Sequence, residues 1–152
     1  MCYNKNMINT IKENRSKYQD VIVKKIDDYF YKRKRYNQHF SLAIGLTDPD
    51  VDVSTYREHN RQTDMFIKLE KNLCCEVFDG TSEESGIKAA GVLLTNFESH
   101  FGAKRIFASI VFSNNYDTSS QMVHRLFDNL EYSYSQNMVN MVVDNSLMIK
   151  DY

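Results

Sequence analysis

The most regular alternation of apolar and polar residues in this chain runs from Met65 to Phe78. Met65, Ile67 and Leu69 separate from Phe66 and Lys68, and Leu73, Cys75 and Val77 separate from Cys74, Glu76 and Phe78. A period of two predicts two short strands, and the polar Glu70-Lys71-Asn72 between them predicts a hairpin turn. Asp79-Gly80-Thr81-Ser82 then turns the chain toward a helix, with Ser82 as its cap. Glu83 and Glu84 follow in the first turn, where the helix dipole favours anions. Ile87, Ala90, Leu94, Phe97 and Phe101 recur at helical spacing, and Gly102 is a natural stop.

The flanking segments carry the same kinds of signal. Residues 1–36 read as helix in two pieces: a weak stripe of Met7, Ile8 and Ile11, then a stronger one of Tyr18, Ile22, Ile26, Tyr29 and Phe30. Such a helix either packs on the sheet or serves as a dimerising contact. Phe40–Leu46 is a continuous apolar run, as expected of a central strand buried on both faces. Thr47–Asp52 reads as a turn, and a short helix is expected from about Ser54 to Asn60. Arg105–Phe112 is the next strand and Asn114–Asp117 a loop. Thr118 or Ser119 caps a last helix with the stripe Met122, Val123, Leu126, Phe127, Leu130 and Tyr134. Asn137–Val143 closes the sheet as an edge strand. The expected organisation is a helical segment over 1–36, a domain over 37–145 and a tail over 146–152.

Composition narrows the function classes. With 152 residues, 42% hydrophobic content and one Pro, the chain can bury a core without metal or disulfide staples. A net charge of −1 gives no overall field toward nucleic acid or an anionic membrane. The basic run Lys32-Arg33-Lys34-Arg35 reads as a solvated helix end that complements the dipole. Cys2, Cys74 and Cys75 make an odd count. Neighbouring strand residues face opposite ways, so Cys74 and Cys75 read as free thiols in a reducing, cytoplasmic compartment. No run is long enough to span a bilayer. His39, His59, His100 and His124 show no zinc spacing, and no cofactor motif is present. Asp48, Asp50 and Asp52 suit a turn; a metal site for a nucleotidyl transferase is the rival reading.

The stretch Arg61–Thr81 resembles the central hairpin of the GGDEF (diguanylate cyclase) family. Arg61-Gln62-Thr63-Asp64 matches the family's R-x-x-D pair, and Met65–Leu69 matches its five-residue spacer. Glu70-Lys71-Asn72-Leu73-Cys74 stands where the GG(D/E)EF turn would be, and Asp79-Gly80-Thr81 fits the turn that follows the strand. Phe40–Leu46 resembles the family's first strand, with Leu46 in place of a metal-binding Asp. The resemblance covers about residues 20–145 in element order and spacing, with few identical residues. It implies an α+β fold on a ferredoxin-like nucleotidyl cyclase core, with about five mostly antiparallel strands and packed helices.

The same resemblance implies that the catalytic signature has been lost. Without the two glycines, the backbone cannot approach phosphates closely. Without the carboxylates, magnesium has no protein ligand. The Arg61/Asp64 pair remains, and in the family it forms the inhibitory site for cyclic di-GMP. A guanidinium fork suits guanine O6 and N7, and a carboxylate accepts from the opposite edge. Arg57, one helical turn earlier, and Lys88 are candidate partners for the phosphates. As a bare pattern the pair carries little weight. Seven Arg and twelve Asp yield about half an R-x-x-D by chance, and a second one stands at Arg125/Asp128. An Arg–Asp pair at that spacing is also an ordinary helix-surface ion pair. The expectation is an inactive GGDEF-like receptor for cyclic di-GMP, not an enzyme. The alternative is a nucleotide-independent interaction or dimerisation module that uses the Tyr-rich N-terminal helix.

Overall fold

The computed structural model describes residues 2–55, 65–80, 82–102 and 104–144, the side chains of 2–7 and 10 apart. A first helix α1 (Cys2–Tyr36) leads to β1 (Phe40–Thr47), and the hairpin strands β2 (Met65–Glu70) and β3 (Leu73–Asp79) precede α2 (Glu83–Phe101). Then come β4 (Ile106–Phe112), α3 (Ser119–Ser135) and the short β5 (Met141–Val143). The sheet order is β2-β3-β1-β4-β5, with every neighbouring pair antiparallel except β4 and β5. The expected α+β sheet of five mostly antiparallel strands is therefore what the chain forms.

The N-terminal segment is one helix rather than two pieces. No Gly or Pro occurs between Cys2 and Tyr36, so nothing in the backbone interrupts it. Its two apolar stripes merge into one face, and Ile11, Tyr18, Ile22, Ile26 and Phe30 are buried. They join Met122, Val123, Leu126, Phe127 and Leu130 of α3 in one core beneath the sheet. The strongest stripe of α1 thus closes on its own domain, as the packing reading of this segment expects. The basic residues at its end lie over neighbouring rings, with Arg33 5.5 Å from the Phe30 centroid and Lys32 5.4 Å from Tyr29.

All eight residues of β1 are buried, as its unbroken apolar run predicts. Phe40, Leu42, Ile44 and Leu46 face α1 and α3, whereas Ala43 packs with Phe78 and Ala90 on the α2 side. Close approach on that second side depends on one glycine. A Cβ added at Gly86 would sit 2.3 Å from Ser41 Oγ. This contact sets the rotation of α2: Gly86, Ala90 and Phe97 are buried, and Ile87, expected in the stripe, is 46% exposed. Gly102 ends the helix at φ 71°, in the left-handed region.

Helix α3 starts at a reciprocal cap in which Thr118 and Gln121 each bond the other's backbone. Its predicted stripe is buried from Met122 to Leu130. The last strand is shorter than Asn137–Val143 because Asn137 and Asn140 take positive φ, at 53° and 59°, and turn the chain first.

Candidate functional site

The hairpin tip is built from the inside outward. β2 and β3 pair with Ile67 opposite Cys75, and both side chains enter the core. On β1, Leu46 lies opposite Leu73; they are 2% and 1% exposed. Both positions that the family resemblance associates with metal-binding and signature residues are therefore apolar wall. The turn itself is tied down on two sides. Thr47 N donates to Asn72 O at 2.9 Å, and Asn72 Nδ2 returns a bond to Thr47 O at 2.9 Å. Val53 N donates to Lys71 O at 2.8 Å. A third tie comes from α1, where the buried Tyr18 hydroxyl donates to Glu70 Oε1 at 2.8 Å. Burial and the adjoining Glu70 carboxylate raise the Tyr18 phenol well above its usual range.

The acidic turn after β1 is paired with cations of the protein. Asp48 accepts from the backbone N–H of Arg105 at 2.8 Å and from its guanidinium at 2.7 and 3.0 Å. Asp50 pairs with Lys104. Asp52 accepts from Ser54 N at 2.9 Å and from Lys68 at 3.3 Å. The Lys104 hydrogen bond lowers the Asp50 carboxyl, and the Ser54 N–H lowers that of Asp52. These three carboxylates serve the turn and do not converge. Among the described residues no group of His, Cys, Asp and Glu has the arrangement of a metal site. Residues 53–55 form a single 3-10 turn, and the rest of the helix expected from Ser54 to Asn60 lies outside the described residues.

Of the binding residues expected from the sequence, Arg57, Arg61 and Asp64 lie outside the described residues. Asp64 immediately precedes β2 in the chain. Lys88 stands on the outer face of α2, 76% exposed, and pairs with Glu84 one turn earlier at 3.6 Å. The second Arg-x-x-Asp is on α3. There Asp128 bonds Arg15 of α1 at 2.8 Å, and His124 Nε2 lies 3.4 Å from its other oxygen. Among the described residues no bond joins it to Arg125, contrary to the ordinary i,i+3 pair.

Sequence reasoning gave no role to Glu76. It alternates onto the α2 side, as its strand position requires, but it is only 5% exposed. It lines an apolar cavity of about 70 Å³ with Cys74, Leu93 and Phe97. Its polarity was legible, but its burial depends on where α2 lands.

The two thiols do face opposite sides of the sheet and are free. Burial, with the Glu76 charge beside it, pushes Cys74 up to about 12, and burial holds Cys75 well above its usual value. Such groups favour folding while neutral in both states. That contribution is complete below the unfolded thiol value near 9 and is lost as pH rises toward the folded value. Domain stability should therefore fall between pH 9 and pH 11 in urea titrations, and Cys74→Ala should flatten the decline. With so little thiolate, the native thiols at pH 8 should react with a disulfide reagent at least about a hundredfold more slowly than in urea.

The strand order, the two helices on one face and the hairpin at the sheet edge are those of the GGDEF-domain fold. No family model matches this chain, and no curated protein matches it. Solved structures do. The GGDEF domain of YfiN (TpbB) from Pseudomonas aeruginosa superposes with a TM-score of 0.68 at 9% identity, covering 82% of this chain and 93% of that one. The GGDEF domain of DgcB from Caulobacter crescentus, solved in complex with cyclic di-GMP, gives 0.66 at 9% identity over 83% and 89%. The diguanylate cyclase SiaD of P. aeruginosa, solved with its activator SiaC, gives 0.59 at 12% identity over 83% and 57%. Among the described residues no helix is long and apolar enough to cross a membrane.

Proposed function

We propose that this chain is a catalytically inactive GGDEF-like signalling domain that senses cyclic di-GMP through Arg61 and Asp64. The observation that carries the loss of catalysis is the tied-down, glycine-free turn. Its Lys71 and Asn72 carbonyls already accept from Val53 and Thr47, and Tyr18 holds its Glu70 carboxylate. Leu46 and Leu73 offer no ligand to magnesium, whose sites rely on carboxylate and phosphate oxygens. A cyclase would need phosphates to pass close to that backbone, where Glu70 and Lys71 instead carry side chains.

Support for the receptor role comes from position. Asp64 directly precedes β2, at the family spacing from the turn, and GGDEF domains of the same fold have been solved with cyclic di-GMP. Arg57 and Lys88 would neutralise the dinucleotide's phosphates. A cytoplasmic setting fits both the ligand and the free thiols. Calorimetry with cyclic di-GMP should give saturable binding that weakens at least about tenfold in Arg61→Ala, the loss of one guanidinium–guanine contact. Absent binding at high micromolar ligand, or binding unchanged in that variant, overturns the reading. GTP with magnesium should yield no cyclic di-GMP.

A further inference from the structure

The second Arg-x-x-Asp lies in a different setting from a surface ion pair. An open groove of about 520 Å³ runs along α3, lined by Tyr116, Ser120, His124, Arg125 and Asp128, among others. Asp128 is fixed in it from both sides, by the Arg15 guanidinium at 2.8 Å and by His124 Nε2 at 3.4 Å. A carboxylate has about four lone-pair positions, so these contacts leave it able to accept more. Arg125 is half-buried in the groove wall, and among the described residues its fork has no hydrogen-bond or ion-pair partner. The wall thus offers a free planar donor fork, an oriented acceptor one helical turn away and an aromatic ring.

These three groups suit one base best. Guanine places two acceptors, O6 and N7, on one edge and two donors, N1–H and the exocyclic amine, on the adjoining edge. Arg125 can bond the first edge bidentately while Asp128 accepts from the second. Adenine presents an amine beside N7, so it can give each group only one hydrogen bond where guanine gives two. We propose that the α3 groove binds the base of a guanine mononucleotide, with Arg125 and Asp128 reading its two edges and Tyr116 forming the aromatic wall. This site is separate from Arg61 and Asp64 and stands or falls independently of them.

The test is a titration of the full chain with GMP and AMP, followed by amide chemical shifts. The expected result is saturable GMP binding with shifts at Tyr116, His124 and Arg125, and AMP at least about tenfold weaker. Arg125→Ala and Arg125→Lys should each weaken GMP at least about tenfold, since lysine keeps the charge but loses the fork. Their melting temperatures report folding, and the lysine variant serves if alanine proves unstable. Arg61→Ala should leave GMP affinity unchanged. The proposal is overturned by no saturation up to about 5 mM GMP, by equal affinity for AMP, by wild-type affinity in Arg125→Lys, or by loss of binding in Arg61→Ala.

Discussion

Leu46→Asp is expected to unfold the domain at room temperature. The side chain is 2% exposed and belongs to the core that joins the sheet to α1 and α3. Its partners across β3 and β4 are Leu73 and Phe107, and the Arg105 guanidinium on the neighbouring strand end is already engaged by Asp48. An ionised carboxylate placed there must stay charged without a partner or bind a proton, and either course costs several kcal/mol. Added to the lost leucine contacts, the penalty exceeds about 4 kcal/mol, against a total of about 5–15 for an ordinary domain. Circular dichroism on heating would show whether a cooperative transition survives. A variant melting within a few degrees of the parent would mean that the strand end is wetter than its burial indicates. Leu46→Ala should cost about 3 kcal/mol, from the lost burial and the cavity it leaves. The contrast between the two variants separates the charge from the void.

The second large effect is expected at Arg15. Along the buried face of α1, it occupies the turn between Ile11 and Tyr18, where another apolar residue would continue the stripe. Its guanidinium instead reaches α3, bonding Asp128 at 2.8 Å, the His124 carbonyl at 2.8 Å and the Glu131 carboxylate. It also lies 5.6 Å from the Phe127 ring centroid. Arg15→Ala removes one cation from between two carboxylates and leaves them repelling each other. The side chain is 18% exposed, so the loss is smaller than for a fully buried ion pair. A destabilisation of about 2–3 kcal/mol is expected in urea unfolding, with lowered amide protection in the first half of α1. Arg15→Met, which keeps the packing and removes the charge, should recover only part of it. If the alanine variant were as stable as the parent, α1 would be held by its apolar stripe alone.

The elements legible in the sequence were those whose pattern is set by local chemistry. The β2–β3 alternation, the Ser82 and Thr118 caps, the Gly102 stop and the α3 stripe all appear as read. Each depends on residues a few positions apart, where strand or helix periodicity fixes which side chains share a face. The N-terminal helix reads as two pieces because its apolar stripe lapses between Ile11 and Tyr18. That gap is filled by Arg15, whose carboxylate partners on α3 are more than a hundred residues away. The sequence predicts too long a last strand because the positive-φ asparagines before it look, by composition, like ordinary polar strand residues.

The candidate site was less legible. The missing glycines at the turn and the leucine at the end of β1 are plain in the sequence. That the turn is also tied to Thr47, Val53 and Tyr18 is not, since no periodicity links those positions. Two identical Arg-x-x-Asp patterns could be told apart in the sequence only by their distance from the hairpin. The structure distinguishes the one on α3 by its groove and by the arginine of α1 that captures its aspartate.

By itself the sequence determined that this chain folds as an α+β sheet domain, and that its hairpin turn, Glu70-Lys71-Asn72, contains no glycine. Those properties follow from side-chain identity and short-range spacing. Only the tertiary structure decided that Ile87 faces solvent, that Glu76 is buried and that Asp128 belongs to Arg15. Each depends on how closely one element can approach another, and that is fixed by contacts such as Gly86 against Ser41, between residues far apart in the chain.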